Sequence, residues 1–237
     1  MNYVVIKAGG IGQRMYPTEK PKQFLEVLGK PIIIYTLEKF QLSNLIQEIC
    51  ISCLEDWIPY MWELVERYRL DKVKKIVAGG DTGHLSTRNG IYALKGKCVE
   101  DDIVIIHDAV RPEFTEDVLK ECINRAKKER AAVTCAICLE SMFLSEDGYF
   151  VGASQPNYKI YRAQAPQAYQ WKQLVKAYEE ADKKKIFDAI STDHLYAILQ
   201  IPQSIVINGQ HNFKITTWED VEIFEALIKS RREEKEF

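Results

Sequence analysis

An apolar run, Tyr3-Val4-Val5-Ile6, passes straight into Ala8-Gly9-Gly10-Ile11-Gly12-Gln13-Arg14-Met15, and Pro21-Lys22-Gln23-Phe24-Leu25 follows at once. The apolar, β-branched run reads as a first β-strand. Three glycines in four positions then allow positive φ and let backbone N–H groups come close to an anion. A strand, a glycine turn and a helix start are how α/β proteins hold phosphates. A dinucleotide fingerprint would need a third spaced glycine near Tyr16, and a P-loop would need Gly-Lys-Ser/Thr; neither is present. Arg14 and Lys22 come next instead. Two cations beside a phosphate cradle suit chemistry at a phosphoryl group more than storage of a cofactor.

The rest of the chain repeats the strand-then-loop theme. Strand-like runs at 3–7, 47–53, 74–78, 102–107, 132–138 and 203–208 alternate with helical periodicity at 31–42, 56–69, 86–95 and 115–129. This alternation predicts an α/β, Rossmann-like, mostly parallel sheet with helices on both faces. Thr115-Glu116-Asp117 is a helix start with acidic residues in the first turn. Right-handed crossovers put the loops after the strands along one edge, where open α/β sheets bind ligands. Gly9 to Arg14, Gly79 to Ser86 and His107 to Pro112 each follow a predicted strand and are expected to converge.

At 237 residues the chain suits one large domain. A formal net charge of −2 supplies no global basic field for nucleic acid, so no nucleic-acid partner is expected. No apolar run approaches a membrane span and the N-terminus shows no signal-peptide pattern, which points to a cytoplasmic protein with no membrane partner. Lys229 to Phe237 reads as a charged, frayed tail. The pairs Cys50/Cys53 and Cys135/Cys138 have zinc-like spacing, but both lie in β-branched runs. Residues i and i+3 of a strand point to opposite faces, so buried small hydrophobes are the better reading.

Further motifs follow in order: Gly29-Lys30-Pro31-Ile32, Gly79-Gly80-Asp81 with Ser86, Ile106-His107-Asp108-Ala109-Val110-Arg111-Pro112, Gln164-Ala165-Pro166-Gln167-Ala168-Tyr169, Thr192-Asp193 and Asn212-Phe213-Lys214-Ile215-Thr216. With the first loop, this series resembles the polyol-phosphate cytidylyltransferases, whose members act on ribitol 5-phosphate or 2-C-methyl-D-erythritol 4-phosphate. The resemblance spans nearly the whole chain. It implies attack by a polyol phosphate oxygen on the α-phosphorus of CTP with release of pyrophosphate. Arg14, Lys22 and Lys214 would be catalytic, and Asp108 would hold Mg²⁺. Lys7, Ala8, Gly9, Gly10, Gly12, Gly79, Gly80, Asp81, Ser86 and Ala109 would cradle CTP. Arg111, Ser141, Asn157, Thr192, Lys214 and Thr216 would meet the second substrate.

The residues bear on some of these roles directly. Asp108 ends the apolar strand Ile103-Val104-Ile105-Ile106, where a carboxylate is costly unless paired or bound to a cation. Mg²⁺ takes few protein carboxylates plus substrate phosphates, so one Asp suffices, although Arg111 could simply pair with it. His107 points the other way by alternation and reads as structural. Asp193 is open between a helix N-cap and a site residue. Residues 139–163 hold an Asp147-Gly148 turn between Glu140–Leu144 and Tyr149–Val151, a hairpin too small to form a core. The resemblance makes it a dimerisation arm that crosses to a second subunit; a flap over the site is the plainer alternative.

Three positions depart from the family pattern. Gly83 stands where an arginine is usual, Asn157 stands where the arm usually returns an arginine, with Lys159 and Arg162 nearby, and Lys7 occupies a position that is normally apolar. Ala8-Gly9-Gly10, against the Ala-Ala-Gly typical of the methylerythritol-phosphate enzymes, favours the ribitol-phosphate branch. A nucleotide-binding module that has lost catalysis is the alternative of another class.

Overall fold

The computed structural model describes residues 1–10, 15, 18–156 and 159–233. Gly12, Arg14 and Asn157 lie outside the described residues. In chain order the elements are β1 (Asn2–Ala8), β2 (Glu26–Val27), β3 (Lys30–Pro31), α1 (Ile32–Leu42), β4 (Glu48–Cys53), α2 (Ile58–Arg67) and β5 (Val73–Ala78). Next come α3 (Gly83–Tyr92), β6 (Ile103–Asp108), α4 (Glu116–Glu129), β7 (Ala131–Ile137), β8 (Met142–Leu144) and β9 (Ala153–Gln155). The remainder is β10 (Tyr161–Gln170), α5 (Trp171–Lys184), α6 (Thr192–Ile198), β11 (Ser204–Ile207) and α7 (Trp218–Glu233).

A seven-stranded sheet runs β11-β7-β10-β6-β1-β4-β5. Every neighbouring pair is parallel except those of β10, which lies antiparallel between β6 and β7. Strand alternation divides the core. Val4, Ile6, Ile49 and Ile51 join α1, α2 and α4 on one face. Tyr3, Val5, Val104 and Ile106 join α3, α5 and α6 on the other. Cys53 belongs to the first face and Cys50 to the second, as strand geometry requires, and burial pushes both thiols up to about 12. Thr115 caps α4 by accepting from Val118 N–H at 3.3 Å.

β10 is the strand that sequence periodicity misses. Its run Tyr-Arg-Ala-Gln-Ala-Pro-Gln-Ala-Tyr-Gln has no apolar alternation and contains Pro166, which argues against a central strand. The ladder accommodates the proline by shifting register between Ala163 and Gln167. The arm also differs from expectation. Leu144 pairs with Ala153 and Met142 with Gln155, so the returning strand begins beyond Tyr149–Val151. The cause is a wide turn: the Asp147 carboxylate accepts from Tyr149 N–H at 2.8 Å and Phe150 N–H at 3.0 Å. The expected frayed tail is helical through Glu233. Lys229 pairs with Glu225 at 2.7 Å, and Arg231 bonds the buried Glu113.

Two pieces of packing aim residues at the sheet's loop edge. Pro21-Lys22-Gln23-Phe24 forms a single 3₁₀ turn in which Phe24 is fully buried, stacked on Trp57 at 5.0 Å and edge-on to Tyr60 at 5.4 Å. Gln23 is buried and donates to Ala8 C=O at 2.6 Å. Lys22 is thereby turned outward over the end of β1. Phe24→Ala should cost about 3–5 kcal/mol, the usual loss for emptying a fully packed aromatic site. Urea unfolding checks this, and a change below about 1 kcal/mol would show that the Phe24–Trp57 stack does not hold the turn.

Candidate active site

The loops after β1, β5 and β6 converge, with the segment before α7, on a cleft of about 680 Å³. Lys7, Ala8, Gly9, Gly10, Lys22, Gly80, Asp81, Ser86, Asp108, Ala109, Lys214 and Thr216 all line it. Gln23, Leu54, Thr82, Gly83, Val110 and Ile190 complete the lining. Sequence reading missed Ile190, whose side chain is exposed in the loop between α5 and α6 and carries no periodic signal.

Asp108 is the centre of charge. Parallel pairing of β1 with β6 sets Lys7 directly opposite it. Lys7 Nζ lies 3.1 Å from Asp108 Oδ1, Lys214 Nζ 3.0 Å from the same oxygen, and Arg111 Nε 3.3 Å from Oδ2. Arg111 also donates to Asn212 C=O at 2.7 Å, and Asn212 donates to Ala165 C=O at 2.6 Å. Arg111 is thus a strut for Asp108, tied at both ends. Burial works to raise the Asp108 pKa, but Lys7, Lys214 and Arg111 together hold it well below the ordinary carboxylate range.

His107 faces away, as alternation requires, packed against Phe40 at 5.0 Å and Phe114 at 4.7 Å. Its Nε2 sits 2.9 Å from Arg111 C=O. Burial pushes its pKa down to about 3, against the raising effects of that carbonyl and of Asp108. His107 is therefore neutral and fixes the backbone of the Asp108–Arg111 loop.

The glycine loops work by close approach. Neither Gly9 nor Gly10 uses the positive φ that a glycine allows. A Cβ on Gly9 or on Gly79 would stand 2.9 Å from Ser86 Oγ, so the absence of side chains lets the β1 and β5 loops close on that hydroxyl. Ser86 Oγ accepts from Gly80 N–H and donates to Gly80 C=O, both at 3.0 Å. The hydroxyl holds the loop in shape. Among the described residues the first α-helix after the β1 loop is α1, which starts at Ile32.

Other expected site residues are placed differently. Ala109 lines the cleft, but its N–H is used by Lys7 C=O at 3.1 Å and its C=O by Thr36 at 2.9 Å. Thr216 also lines the cleft and donates to Asp220 at 2.8 Å, next to the reciprocal Thr217–Asp220 cap of α7. Lys22 Nζ donates to Ile215 C=O at 3.1 Å, which links the first loop to the Lys214–Thr216 segment.

Thr192 is a correction. It is buried, bonded to Tyr178 Oη at 2.9 Å, because α6 packs its first turn onto α5. Ser191 caps that helix, and Asp193 accepts from Gln167 at 2.9 Å. Ser141 is exposed on the approach to β8 and does not line this chain's own cleft.

Three cations around one carboxylate leave two positive charges facing the cleft, so an anion with several charges fits it. Among the described residues no group of three His, Cys, Asp or Glu gathers for a metal. The donor set still fits Mg²⁺, which takes one or two carboxylates and completes its shell from substrate phosphates and water. Asp108 would be that carboxylate.

The 2-C-methyl-D-erythritol 4-phosphate cytidylyltransferase family model matches residues 2–230. The chain belongs to this family. With it comes the class of CTP-dependent cytidylyltransferases. A ribitol-5-phosphate cytidylyltransferase of Streptococcus agalactiae serotype III is 39% identical over 235 residues, covering 99% of this chain and 98% of that one. A 2-C-methyl-D-erythritol 4-phosphate cytidylyltransferase of Geobacter metallireducens is 34% identical, covering 97% and 98%. The crystal structure of 4-diphosphocytidyl-2C-methyl-D-erythritol synthase from Anaerococcus prevotii superposes with a TM-score of 0.81 at 26% identity, covering 96% of both chains.

The buried His107 gives a pH prediction. Its folded pKa lies below the unfolded value of about 6.5, so the stability of the neutral form is present above that value and is lost as pH falls toward about 3. His107→Gln keeps a donor for Arg111 C=O and cannot take up a proton. The wild-type urea midpoint should therefore fall more between about pH 7 and 4 than that of His107→Gln. Parallel curves would show that His107 is not held neutral.

Proposed function

We propose that the cleft transfers CMP from CTP to D-ribitol 5-phosphate, giving CDP-ribitol and pyrophosphate. A phosphate oxygen of the polyol attacks the α-phosphorus; the new P–O bond forms as the bond to the β-phosphate breaks, and pyrophosphate leaves with the electron pair. Charge builds on the α-phosphoryl oxygens, so fixed cations and backbone donors are the catalytic tools. The observation that carries this reading is the net-positive cluster on Asp108, facing two glycine loops across one cleft.

Lys22 and Arg14 serve the transition state. Gly9, Gly10 and Gly12 take the triphosphate, and Gly79, Gly80 and Asp81 take the base, with Ser86 holding their loop. Lys214 and Thr216 receive the phosphate of the second substrate, while Arg111 acts by orienting Asp108. Asp108, together with the triphosphate, would hold Mg²⁺, which would neutralise part of the nucleotide's charge. The identity to the Streptococcus agalactiae relative favours ribitol 5-phosphate, as does Gly9, where the alanine of the methylerythritol-phosphate enzymes would press on Ser86. The methylerythritol substrate is the second reading, favoured by the family match and the Geobacter relative. CTP as donor sets the reaction in the cytoplasm.

The arm is proposed to dock on a second copy of the chain and to bring Ser141 and the 157–162 stretch to the partner's site. Met142, Phe143, Leu144, Tyr149, Phe150 and Val151 are exposed on it, more apolar surface than a short hairpin leaves in water without a partner.

Pyrophosphate release from CTP and Mg²⁺ with a panel of polyol phosphates tests the reaction. Ribitol 5-phosphate should give the highest kcat/KM; a higher value for 2-C-methyl-D-erythritol 4-phosphate would establish the second reading. CTP binding without release from any member would leave an impaired nucleotide-binding module. Lys22→Ala should lower kcat roughly 10²–10³-fold with the fold intact. A monomer by light scattering at assay concentration would sink the shared site.

A further inference from the structure

We infer that Lys7 is a further catalytic cation, paired with Lys214 through Asp108 so that one ammonium meets the transferred phosphoryl group while the other meets the attacking phosphate. This rests on the cytidylyl-transfer reading and deepens it.

The sheet itself builds the arrangement. Lys7 is the penultimate residue of β1 and Asp108 the last of β6, and the two are register partners on one face of the sheet. Both ammonium nitrogens rest on the same carboxylate oxygen, at 3.1 and 3.0 Å. They therefore lie no more than roughly 6 Å apart, close enough for both to act on two phosphates brought into contact.

A purely structural pair does not account for this. Arg111, anchored by Asn212 C=O, already matches the charge of Asp108. Lys7 and Lys214 are surplus to neutralisation, and both line the cleft with their side chains 21% and 39% exposed. Lys7 also lies immediately before the Ala8–Gly10 loop, whereas Lys214 adjoins Ile215, whose carbonyl receives Lys22. With the roles proposed above, Lys7 stands on the nucleotide side of the cleft and Lys214 on the acceptor side. Asp108 is then a positioning residue for two ammonium groups, in addition to any metal it takes.

The test is calorimetric binding of CTP in the presence of EDTA, with steady-state kinetics alongside, on wild-type protein, Lys7→Met, Lys7→Gln and Lys7→Arg. Loss of the ammonium should weaken metal-free CTP binding about tenfold or more. With Mg²⁺ present it should lower kcat roughly 10²-fold or more and leave KM for the polyol phosphate nearly unchanged. Lys7→Arg should recover part of the CTP affinity. A structural role would instead lower the Tm and weaken both substrates together, which would overturn the inference. So would wild-type CTP affinity and turnover in a folded Lys7→Met or Lys7→Gln, the neutral glutamine serving if the methionine variant does not fold. Wild-type protein that neither binds CTP nor releases pyrophosphate would overturn the cytidylyl-transfer reading itself, and this inference with it.

Discussion

The site depends on one electrostatic arrangement: a buried carboxylate at the end of β6, with a lysine fixed opposite it by the register of β1. Each ammonium–carboxylate contact near 3 Å is worth roughly 5 kcal/mol gross at an effective dielectric of about 20, and burying the charges takes back several kcal/mol. Two ammonium groups within roughly 6 Å repel by about 3 kcal/mol or more on the same scale. Attraction to Asp108 therefore outweighs their mutual repulsion, but the cluster as a whole remains positive. It is stable enough to fold and still short of negative charge, which is the state a polyphosphate-binding cleft requires.

The surrounding structure keeps this arrangement rigid. His107 turns its neutral ring into a pocket of Phe40 and Phe114 and holds the backbone of the same loop through Arg111 C=O. In the same core layer, Phe24 packs beside Trp57, and Gln23 ties the turn to the last residue of β1. The charged groups are thus displayed at strand ends and on one short turn, all anchored by apolar packing. Such anchoring limits the reorganisation needed when charge develops.

Much of this was legible in the sequence, because the central parallel strands, buried on both faces, write themselves as apolar runs, and the edge strands β5 and β11 keep a β-branched core. β1, β4, β5, β6, β7 and β11 could all be located, and the loops after them do converge. β10 was not legible, since its residues are polar or small and its proline contradicts the usual reading of a strand; only its neighbours β6 and β7 give it a place. At the site, Asp108 could be named because it ends an apolar strand and Lys22 because it follows the glycine loop, whereas Lys214 was named through the family resemblance. Thr192, named through the family resemblance, is held out of the cleft for a physical reason: Tyr178 on α5 gives its hydroxyl a buried partner. No local pattern encodes this contact between successive helices, 14 residues apart in the chain.

Ser86 is a subtler case of the same limit. Its hydroxyl is both donor and acceptor to the backbone of Gly80, in the space left by the missing side chains of Gly9 and Gly79. A hydroxyl so occupied has only its remaining lone pair to offer a ligand. Under the cytidylyl-transfer reading, recognition of the base then rests chiefly on the backbone of Asp81 and the remaining lone pair of Gly80 C=O, in a loop whose shape Ser86 fixes. Backbone donors and acceptors set by a lock of this kind are indifferent to side-chain changes nearby. Under the same reading, Gly83, the first residue of α3, can stand in place of a large cation without disturbing the frame that meets the nucleotide.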